Sequence, residues 1–463
     1  MSKKKTIGTF ALTMINVAAI ASLRNLPIAA VHGFSLIFYL GLAALFFFVP
    51  IALFSAELVS RYPNKEGGIY LWVKEAFGVR VGFLAIWLQW LGNVIWYPAI
   101  LTFVGATFLS LIDPSWAENS WVMLGVVLFI FWGCTLLNLR GVKLSSKIST
   151  TGVIFGTFVP TVLIVVLGMA WWAQGKPLQI SVGLSHILPD FKSVHSLALL
   201  CAIALSYVGM EMSEVHASDV ANPKKTYPKA IFISMLVIFL IYTLGALSIA
   251  FVIPMEQMSL TMGVVQALEL FFNAYGLGYL ITPVAMLIIL GVVTGVSTWI
   301  IGPSRGILVA VKEGHLPAIF YKKNAYGMPK NVMILQAAIV TILSLLFLFM
   351  PSINSVFILL TVLATQAYMV MYFLMFASAL RLRYTRPLPK GGYHLPWKNI
   401  GAWTAAIGGM AATLLIFIVG FMPTEEFLGS VALYEWTLIL GLIVGCVLPF
   451  WLVRLPFGQK KQA

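Results

Sequence analysis

A glycine and three titratable side chains interrupt an apolar run of this chain at 206–228, which reads SYVGMEMSEVHASDVANPKKTYP. These residues are Gly209, Glu211, Glu214 and His216. Carboxylates inside a membrane span are costly, so they usually face a protein interior or a water-filled path. A glycine beside an acid in mid-span is typical of a helix that breaks where a small molecule binds. The stretch therefore indicates a membrane transporter.

The composition is that of an integral membrane protein. Of the 463 residues, 60% are hydrophobic and 10% are charged, whereas soluble domains carry about 25% charged residues. The net charge of +14 comes from Lys and Arg in short loops between long apolar runs, which leaves no basic face for a phosphate backbone. We therefore expect a lipid bilayer and small molecules as partners, and no nucleic acid.

Cysteine spacing and the first residues exclude two other classes. Cys134, Cys201 and Cys446 are far apart within apolar runs and form no CxxC spacing, so no metal site is predicted. Lysines at 3–5 precede an apolar run without a convincing cleavage site. We expect this run to be a retained first span and not a signal peptide.

Twelve apolar runs are long enough to cross a bilayer, and we number them segments 1 to 12. They predict an all-α membrane protein with a single transmembrane domain over 1–463. Two shorter mixed stretches, 66–78 and 256–273, are predicted to be a cytoplasmic interfacial helix and an external amphipathic helix. The segments lie at 7–31, 35–60, 80–111, 121–139, 150–173, 195–219, 229–254, 279–312, 331–350, 354–380, 401–422 and 433–454.

The distribution of Lys and Arg supports this count. With the N-terminus inside and loops alternating, 26 of the 29 Lys and Arg residues fall on the cytoplasmic side. Lys176 and Lys192 fall outside, and Arg24 lies within segment 1. A wrong number of spans would scramble this asymmetry, so we expect both termini on the cytoplasmic side of the cytoplasmic membrane.

Segments 1 and 6 both carry polar or helix-breaking residues near their middles. Because they are five segments apart, an odd number, the second set of five would lie upside down relative to the first. We expect inverted repeats over about 7–173 and 195–380, followed by two extra helices over about 401–454. Interrupted helices at matching positions predict a binding site in the middle of the membrane.

A broken helix exposes N–H groups that attract anions and C=O groups that attract cations. Two facing breaks, at 18–25 and 205–211, suit a small zwitterion, although kinked helices of purely structural role have a similar composition. The predicted substrate-binding residues are Ala18, Ala21, Ser22, Arg24, Asn25, Ser206, Val208, Gly209 and Trp299.

The acidic residues of segment 6 have different predicted roles. A carboxyl group removed from water binds a proton more readily, so Glu211 is predicted to couple protonation to opening. The alternative is that Glu211 pairs with an arginine or with backbone amides and only holds the broken helix. Glu214 and His216 lie nearer the cytoplasmic end, and we expect them in a gating network.

Arg24 and several aromatic residues have two interpretations each. Arg24 either attracts an acidic substrate side chain or forms a salt bridge to Glu57 or Glu211. The salt bridge is favoured, because an unpaired charge inside a membrane is costly. Trp299 either closes over a substrate or fills a core, as tryptophans often do. Weaker pocket candidates are Trp96, Tyr97, Leu205 and Gln366.

Motifs for other energy sources and for enzyme chemistry are missing from the sequence. It contains no GxxxxGK[ST] and no HExxH, so neither an ATP motor nor an enzyme is predicted, and no cofactor. Energy should come from gradients, with protons as the candidate coupling ion. A sodium site at Thr294, Ser297 and Thr298 stays open because hydroxyl groups are generic.

Four motifs carry a family resemblance. They are GFSLIFYL, EGGIYLWVKEAFG, ALSYVGMEMSEVHASDVANPKKTYP and WIIGPSRGILVAVKEGHLPAIFYKKNAYGMP. Over roughly residues 5–455 the chain resembles the amino acid–polyamine–organocation superfamily, and within it the bacterial glutamate/GABA antiporters. The resemblance implies a LeuT-like fold of two inverted five-helix repeats plus two helices, with helices 1 and 6 broken.

The resemblance also implies roles for single residues. Glu211 matches a glutamate implicated in gating and proton-linked behaviour, and Trp299 matches an aromatic residue near the substrate. Arginine exchangers of the superfamily carry a tryptophan where this chain has Leu205, which argues against arginine or agmatine. Two departures are the SLRNLP of segment 1, where the antiporters have an acidic and aromatic run, and the end of the chain soon after Arg454. We therefore expect it to lack the antiporters' C-terminal plug.

These features together predict a secondary amino-acid transporter that works by alternating access, with exchange as the leading mode. A proton-coupled amino acid symporter is the near alternative. A membrane sensor that binds amino acids without transporting them is a more distant one.

Overall fold

The computed structural model describes residues 7–62, 67–141, 152, 154–189, 200–211, 220, 223–313, 316–389, 392–424 and 427–454. Within these residues the fold is helical, apart from one isolated bridge between Ile7 and Val220. The predicted all-α class is confirmed.

Ten helices in the described part of the chain are long and apolar enough to cross a membrane. They coincide with segments 2 to 5 and 7 to 12, because each contains a stretch of about 20 predominantly apolar residues, which is the length that a bilayer requires. The helices are Gly33–Arg61, Val79–Ser110, Ser120–Leu139, Ile154–Ala173, Lys225–Ala250, Gly278–Leu308, Lys330–Phe349, Ile353–Thr385, Lys398–Val419 and Val431–Arg454.

Two helices extend beyond their predicted ends. The helix of segment 7 begins at Pro223, before the predicted start at 229, because proline suits the first turn of a helix. The helix of segment 10 continues to Thr385, where Arg383 is held by the buried Glu57 at 2.5 Å. A charge that finds a partner can therefore lie inside a helix that hydropathy alone would end earlier.

Segment 1 is interrupted, as predicted, and the described helix of segment 6 ends inside the predicted span. Segment 1 consists of the helices Thr9–Ile20 and Asn25–Ala30, separated by four non-helical residues. The described part of segment 6 is the helix Leu200–Ser206, which ends in a turn that runs to Glu211. Gly209 in that turn has a φ of 121°, a backbone conformation that only glycine adopts without strain.

Segments 3 and 10 form the centre of the structure and pack against each other along their lengths. In their most apolar windows, 83% and 89% of the residues are buried, compared with 22% for segment 12. Segment 12 therefore lies at the periphery, where its apolar side chains are available to lipid.

Both predicted short helices are present, as Gly68–Phe77 and Gly263–Ala274. The first is tied to the end of segment 8, because Tyr70 and Lys74 both donate to the carboxylate of Glu313, Lys74 at 2.6 Å. Burial and this carboxylate raise the pKa of the Tyr70 hydroxyl. The contact fixes Gly68–Phe77 against the helix that carries Trp299.

Candidate substrate site

A pocket lies between the two interrupted segments, with segments 3, 5, 8 and 10 forming its other walls. Nine of the residues predicted for the site line it, namely Ala18, Ala21, Ser22, Arg24, Asn25, Trp96, Leu205, Val208 and Trp299. The remaining lining residues are Ala19, Ile20, Asn93, Ile100, Thr157, Gly291, Val292, Gly295 and Tyr368. The pocket therefore has mostly apolar walls and a few polar groups, as small-molecule sites usually do.

A buried tyrosine of segment 7 joins the two breaks. The Tyr242 hydroxyl lies 2.7 Å from the carbonyl oxygen of Ile20 and 3.1 Å from that of Ser206, and shares its proton between them. Its oxygen also accepts from the Ser22 N–H at 3.3 Å and from Asn25 Nδ2 at 3.1 Å. One side chain thus satisfies backbone groups that both breaks leave without helical partners.

The indole of Trp299 covers the break from the side of segment 8. Its Nε1 donates to the Ala19 carbonyl oxygen at 3.2 Å. The ring lies directly over Gly209, where an added Cβ would stand 3.1 Å from two of its carbons. The ring centroid of Trp96 is 6.1 Å away in an edge-on arrangement. Trp299 therefore contacts both interrupted segments and borders the pocket.

Glu211 is buried behind the pocket and does not line it. Its Oε2 accepts from the Tyr372 hydroxyl at 2.6 Å, and its Oε1 accepts from Gln89 Nε2 at 3.1 Å. The Tyr372 oxygen in turn accepts from the Gly209 N–H at 3.2 Å. A chain of hydrogen bonds thus connects the carboxylate to the turn of segment 6, so a change of charge at Glu211 would be felt at the break.

Arg24 does not form the expected salt bridge to Glu57 or Glu211 among the described residues. Its side chain is 2% exposed, and its Nε and Nη1 atoms have no hydrogen-bond partner in this part of the chain. The guanidinium instead lies 5.8 Å from the ring centre of Trp96 and 5.4 Å from that of Phe357. The expectation was wrong because both carboxylates are engaged by other side chains.

Glu57 belongs to a separate charge cluster near the end of segment 2. It accepts from Arg61 Nη2 at 3.1 Å, from Arg383 Nη1 at 2.5 Å and from the Leu395 N–H at 3.2 Å. Arg61 also donates to the Leu382 carbonyl oxygen at 3.0 Å. This cluster joins segments 2 and 10 to the chain that follows segment 10, and two arginines already neutralise Glu57.

Besides Glu211, four predicted site residues in the described part of the chain do not line the pocket, namely Tyr97, Gln366, Ser206 and Gly209. Tyr97 packs against Phe131 at a ring distance of 5.0 Å, because successive helical residues point about 100° apart and its neighbour Trp96 takes the pocket face. Gln366 donates to the Phe417 carbonyl oxygen at 3.2 Å. Ser206 contributes its carbonyl to Tyr242, and Gly209 lies under Trp299.

Two further predictions lie outside the described residues. Glu214 and His216 fall in the stretch 212–219, so their gating role stays a prediction.

The hydroxyl groups considered for sodium are engaged within the protein. Thr294 and Thr298 donate to carbonyl oxygens of their own helix at 2.9 Å and 3.1 Å, and Ser297 donates to Asn138 Oδ1 at 3.2 Å. In the described ranges no three His, Cys, Asp or Glu side chains converge as a metal site.

Sequence reasoning missed several polar residues around the site. Gln89 and Asn93 are four residues apart in segment 3, and this spacing on a helix within an apolar span was a usable signal. Tyr242, Tyr368 and Tyr372 carry no such signal, because tyrosines in membrane helices commonly serve interface belts or cores. Their roles depend on which helices lie opposite them.

The spanning helices and the pocket between segments 1 and 6 are those of a multi-pass membrane protein. The sequence profile of the amino acid permeases matches residues 7–445, and the chain belongs to this family. The resemblance to the amino acid–polyamine–organocation superfamily is thereby confirmed.

Three bacterial relatives show the range of the family around this chain. It is 45% identical over 460 residues to an uncharacterized transporter of Legionella pneumophila, covering 99% of this chain and 98% of the relative. It is 30% identical to a glutamate/gamma-aminobutyrate antiporter of Lactococcus lactis over 97% and 90% of the two chains. A protein of Lactococcus lactis named probable agmatine/putrescine antiporter is 28% identical over 65% and 62%. The chain is accordingly a multi-pass inner-membrane protein of amino acid permease type.

Proposed function

We propose that this protein is a secondary transporter that exchanges amino acids across the bacterial cytoplasmic membrane by alternating access. The observation that carries the proposal is the pocket bounded by two interrupted segments whose backbone groups meet at Tyr242. Non-helical backbone at membrane depth is tolerated only where it is buried in protein or lines a cavity. A pocket lined by such backbone suits the carboxylate and the ammonium of an amino acid.

The proposed architecture is the LeuT-like one, with inverted repeats over about 7–173 and 195–380, two extra helices and both termini in the cytoplasm. The matching interruptions after Ile20 and after Ser206 support the repeat. In this arrangement the helices of segments 1 and 6 hinge at their breaks, while segments 3 and 8 provide a more rigid wall.

In the proposed cycle, Tyr242 and Trp299 hold the breaks of the empty carrier. The Ser22 N–H, the Ile20 carbonyl and the Ala19 carbonyl already have side-chain partners. A substrate carboxylate and ammonium would replace some of these hydrogen bonds, and Trp299 would pack over the bound substrate. Binding would thereby alter the contacts that set the angle of the two segments.

A proton-coupled symporter is a second candidate, favoured by Glu211. Its buried carboxylate reaches the turn of segment 6 through Tyr372 and Gly209. Protonation of Glu211 would weaken its bond to Tyr372 and release that turn. This connection links proton binding to the break without requiring a second substrate.

The test uses purified protein in liposomes that contain one unlabelled amino acid, with a labelled amino acid outside. Exchange predicts uptake that depends on the internal amino acid and is nearly absent from empty vesicles. Symport predicts uptake into empty vesicles when the outside is acidic relative to the inside. Saturable binding of an amino acid without exchange and without proton-driven uptake would refute both transport modes. A membrane sensor would then be the remaining function.

A matched pair of variants separates the pocket from general damage. Trp299→Ala removes the indole that borders the pocket and should lower the exchange rate by roughly tenfold or more, the effect expected when a buried aromatic contact to a ligand is lost. Tyr97→Phe changes a buried tyrosine outside the pocket and should leave exchange within about twofold of the unaltered protein. Equal losses in both variants would contradict the location of the site.

A further inference from the structure

Arg24 supplies a buried positive charge to the wall of the pocket. It lies at the break of segment 1, immediately before the helix Asn25–Ala30, and its side chain is 2% exposed. Its position between two helical pieces means that any movement at this break also moves the guanidinium. The group is therefore part of the pocket and part of the proposed hinge.

No counter-charge reaches this guanidinium from the described residues. Its Nε and Nη1 atoms are buried without hydrogen-bond partners. Glu211 is engaged by Tyr372 and Gln89, and Glu57 by Arg61 and Arg383. The rings beside Arg24 favour a cation over their faces, but they neither neutralise it nor satisfy its N–H groups.

An uncompensated charge has different costs in the open and closed states of a carrier. While the pocket is open to water, solvent can hydrate the guanidinium. When both sides close, the charge is transferred to a medium of low dielectric constant, and the penalty for an unpaired ion is then severe. An anion that enters with the substrate removes this penalty, because it provides charge-assisted hydrogen bonds to the free N–H groups.

We propose that Arg24 binds a second carboxylate, on the side chain of the substrate, and thereby favours closure of the pocket around an anionic amino acid. The proposal rests on the exchanger function proposed above, and it adds both a substrate class and a reason for exchange. Closing the empty carrier around an unpaired guanidinium costs more free energy than closing the loaded carrier, so return of the unloaded carrier is slowed. Net movement in one direction is suppressed, and exchange of one acidic amino acid for another is favoured.

The same charge discriminates against other ligands. A zwitterion with a neutral side chain leaves Arg24 unpaired, and a ligand with a second amine places two positive charges in one small pocket, which costs more. Acidic amino acids should therefore be preferred over their amides, and diamines should be rejected. This chain would thus differ in substrate from its relative that is named for agmatine and putrescine.

The test compares Arg24→Gln, which keeps length and polarity but removes the charge, with Arg24→Lys, which keeps the charge. Each protein is reconstituted into liposomes, and the liposomes are loaded with labelled glutamate or labelled glutamine. Efflux is measured into buffer that contains the same unlabelled amino acid and into buffer without amino acid. The first condition reports exchange and the second reports return of the empty carrier.

For the unaltered protein we expect glutamate exchange to exceed efflux into empty buffer by at least about tenfold, and to exceed glutamine exchange. In Arg24→Gln the preference for glutamate should fall by about 10- to 100-fold, the range for losing a charge-assisted hydrogen bond. Efflux into empty buffer should rise toward the exchange rate. Arg24→Lys should retain both the preference and the coupling, with a lower rate.

An Arg24→Gln protein that keeps the preference for glutamate and the low efflux of the unaltered protein would overturn the proposal. If Arg24→Gln does not transport at all, the role of Arg24 is tested by equilibrium binding of glutamate and glutamine to the folded protein in detergent. Loss of glutamate binding alone supports the role of Arg24, whereas equal loss of both refutes it. Absence of exchange in the unaltered protein would refute the exchanger function. The binding comparison would still test whether Arg24 binds the side-chain carboxylate.

Discussion

The buried cluster around Glu57 offers a sharp test of how charges are held in this protein. Glu57 is 2% exposed and accepts hydrogen bonds from two guanidinium groups, those of Arg61 and Arg383. Replacing Glu57 by glutamine keeps the size of the side chain but removes its charge. Arg61 and Arg383 would then lie close together in a buried site without a counter-charge.

The expected cost follows from this geometry. Breaking a buried ion pair by removing one partner typically lowers the free energy of unfolding by about 3–5 kcal/mol. Here one carboxylate serves two arginines, and their mutual repulsion adds to the loss, so we expect Glu57→Gln to fall in the upper part of that range. The Leu395 N–H keeps an acceptor in the amide oxygen, so its hydrogen bond at 3.2 Å contributes little to the difference.

Glu75→Gln is the matched control. Glu75 pairs with Arg386 at 3.4 Å, and the Arg386 side chain is 60% exposed. A pair with an exposed partner contributes about 0–1 kcal/mol. The same chemical change is thus made at a fully buried carboxylate and at a partly exposed one, since the Glu75 side chain is 23% exposed.

Unfolding of both variants would be followed in mixed micelles of mild detergent and increasing SDS, with the midpoint and slope giving the free energy of unfolding. We expect a large loss of the free energy of unfolding for Glu57→Gln and almost none for Glu75→Gln. A loss below about 1 kcal/mol at Glu57 would show that water or lipid headgroups solvate the two arginines, and would refute the account of a sealed cluster.

Three further predictions concern the breaks. Gly209→Ala should cost about 1–3 kcal/mol and slow exchange, because a φ of 121° strains any other residue and the new Cβ would stand 3.1 Å from Trp299; unchanged exchange and thermal stability would contradict it. Tyr242→Phe leaves buried backbone groups of both breaks unpaired and should lower the free energy of unfolding by about 1–3 kcal/mol, as measured by the same SDS titration. Glu211→Gln should flatten the pH dependence of exchange, since an amide cannot take up the proton that would release Tyr372; a pH profile like that of the unaltered protein would leave Glu211 with a purely structural role.

Much of the architecture was predictable because the bilayer imposes simple rules on local sequence. A span needs a long apolar run, so the ten long helices were found to within a few residues except where local chemistry extended them. The helix of segment 10 reaches Thr385 because Arg383 meets Glu57, a partner 326 residues away. The two breaks were also visible locally, since a glycine or proline beside polar residues is rare in an uninterrupted span.

The pocket was predictable in its outline but not in its pairings. Most of the candidates at the breaks line the pocket, because non-helical backbone within a span must be buried or face a cavity. Tyr97 was misjudged, because its neighbour Trp96 takes the pocket side of the same helix. The expected salt bridge of Arg24 was wrong for a different reason. Any carboxylate in a membrane is a plausible partner until the structure reveals which ones are already engaged.

The sequence by itself determined that the chain crosses a membrane many times and that segments 1 and 6 break, since hydrophobic length and backbone freedom are properties of neighbouring residues. Only the tertiary structure decided that Tyr242 bridges the two breaks, that Tyr372 holds Glu211, and that Arg24 faces the pocket without a counter-charge. These contacts join residues as far as 222 positions apart. Which side chains meet over such distances depends on helix packing and on competition among partners. The local sequence determines neither.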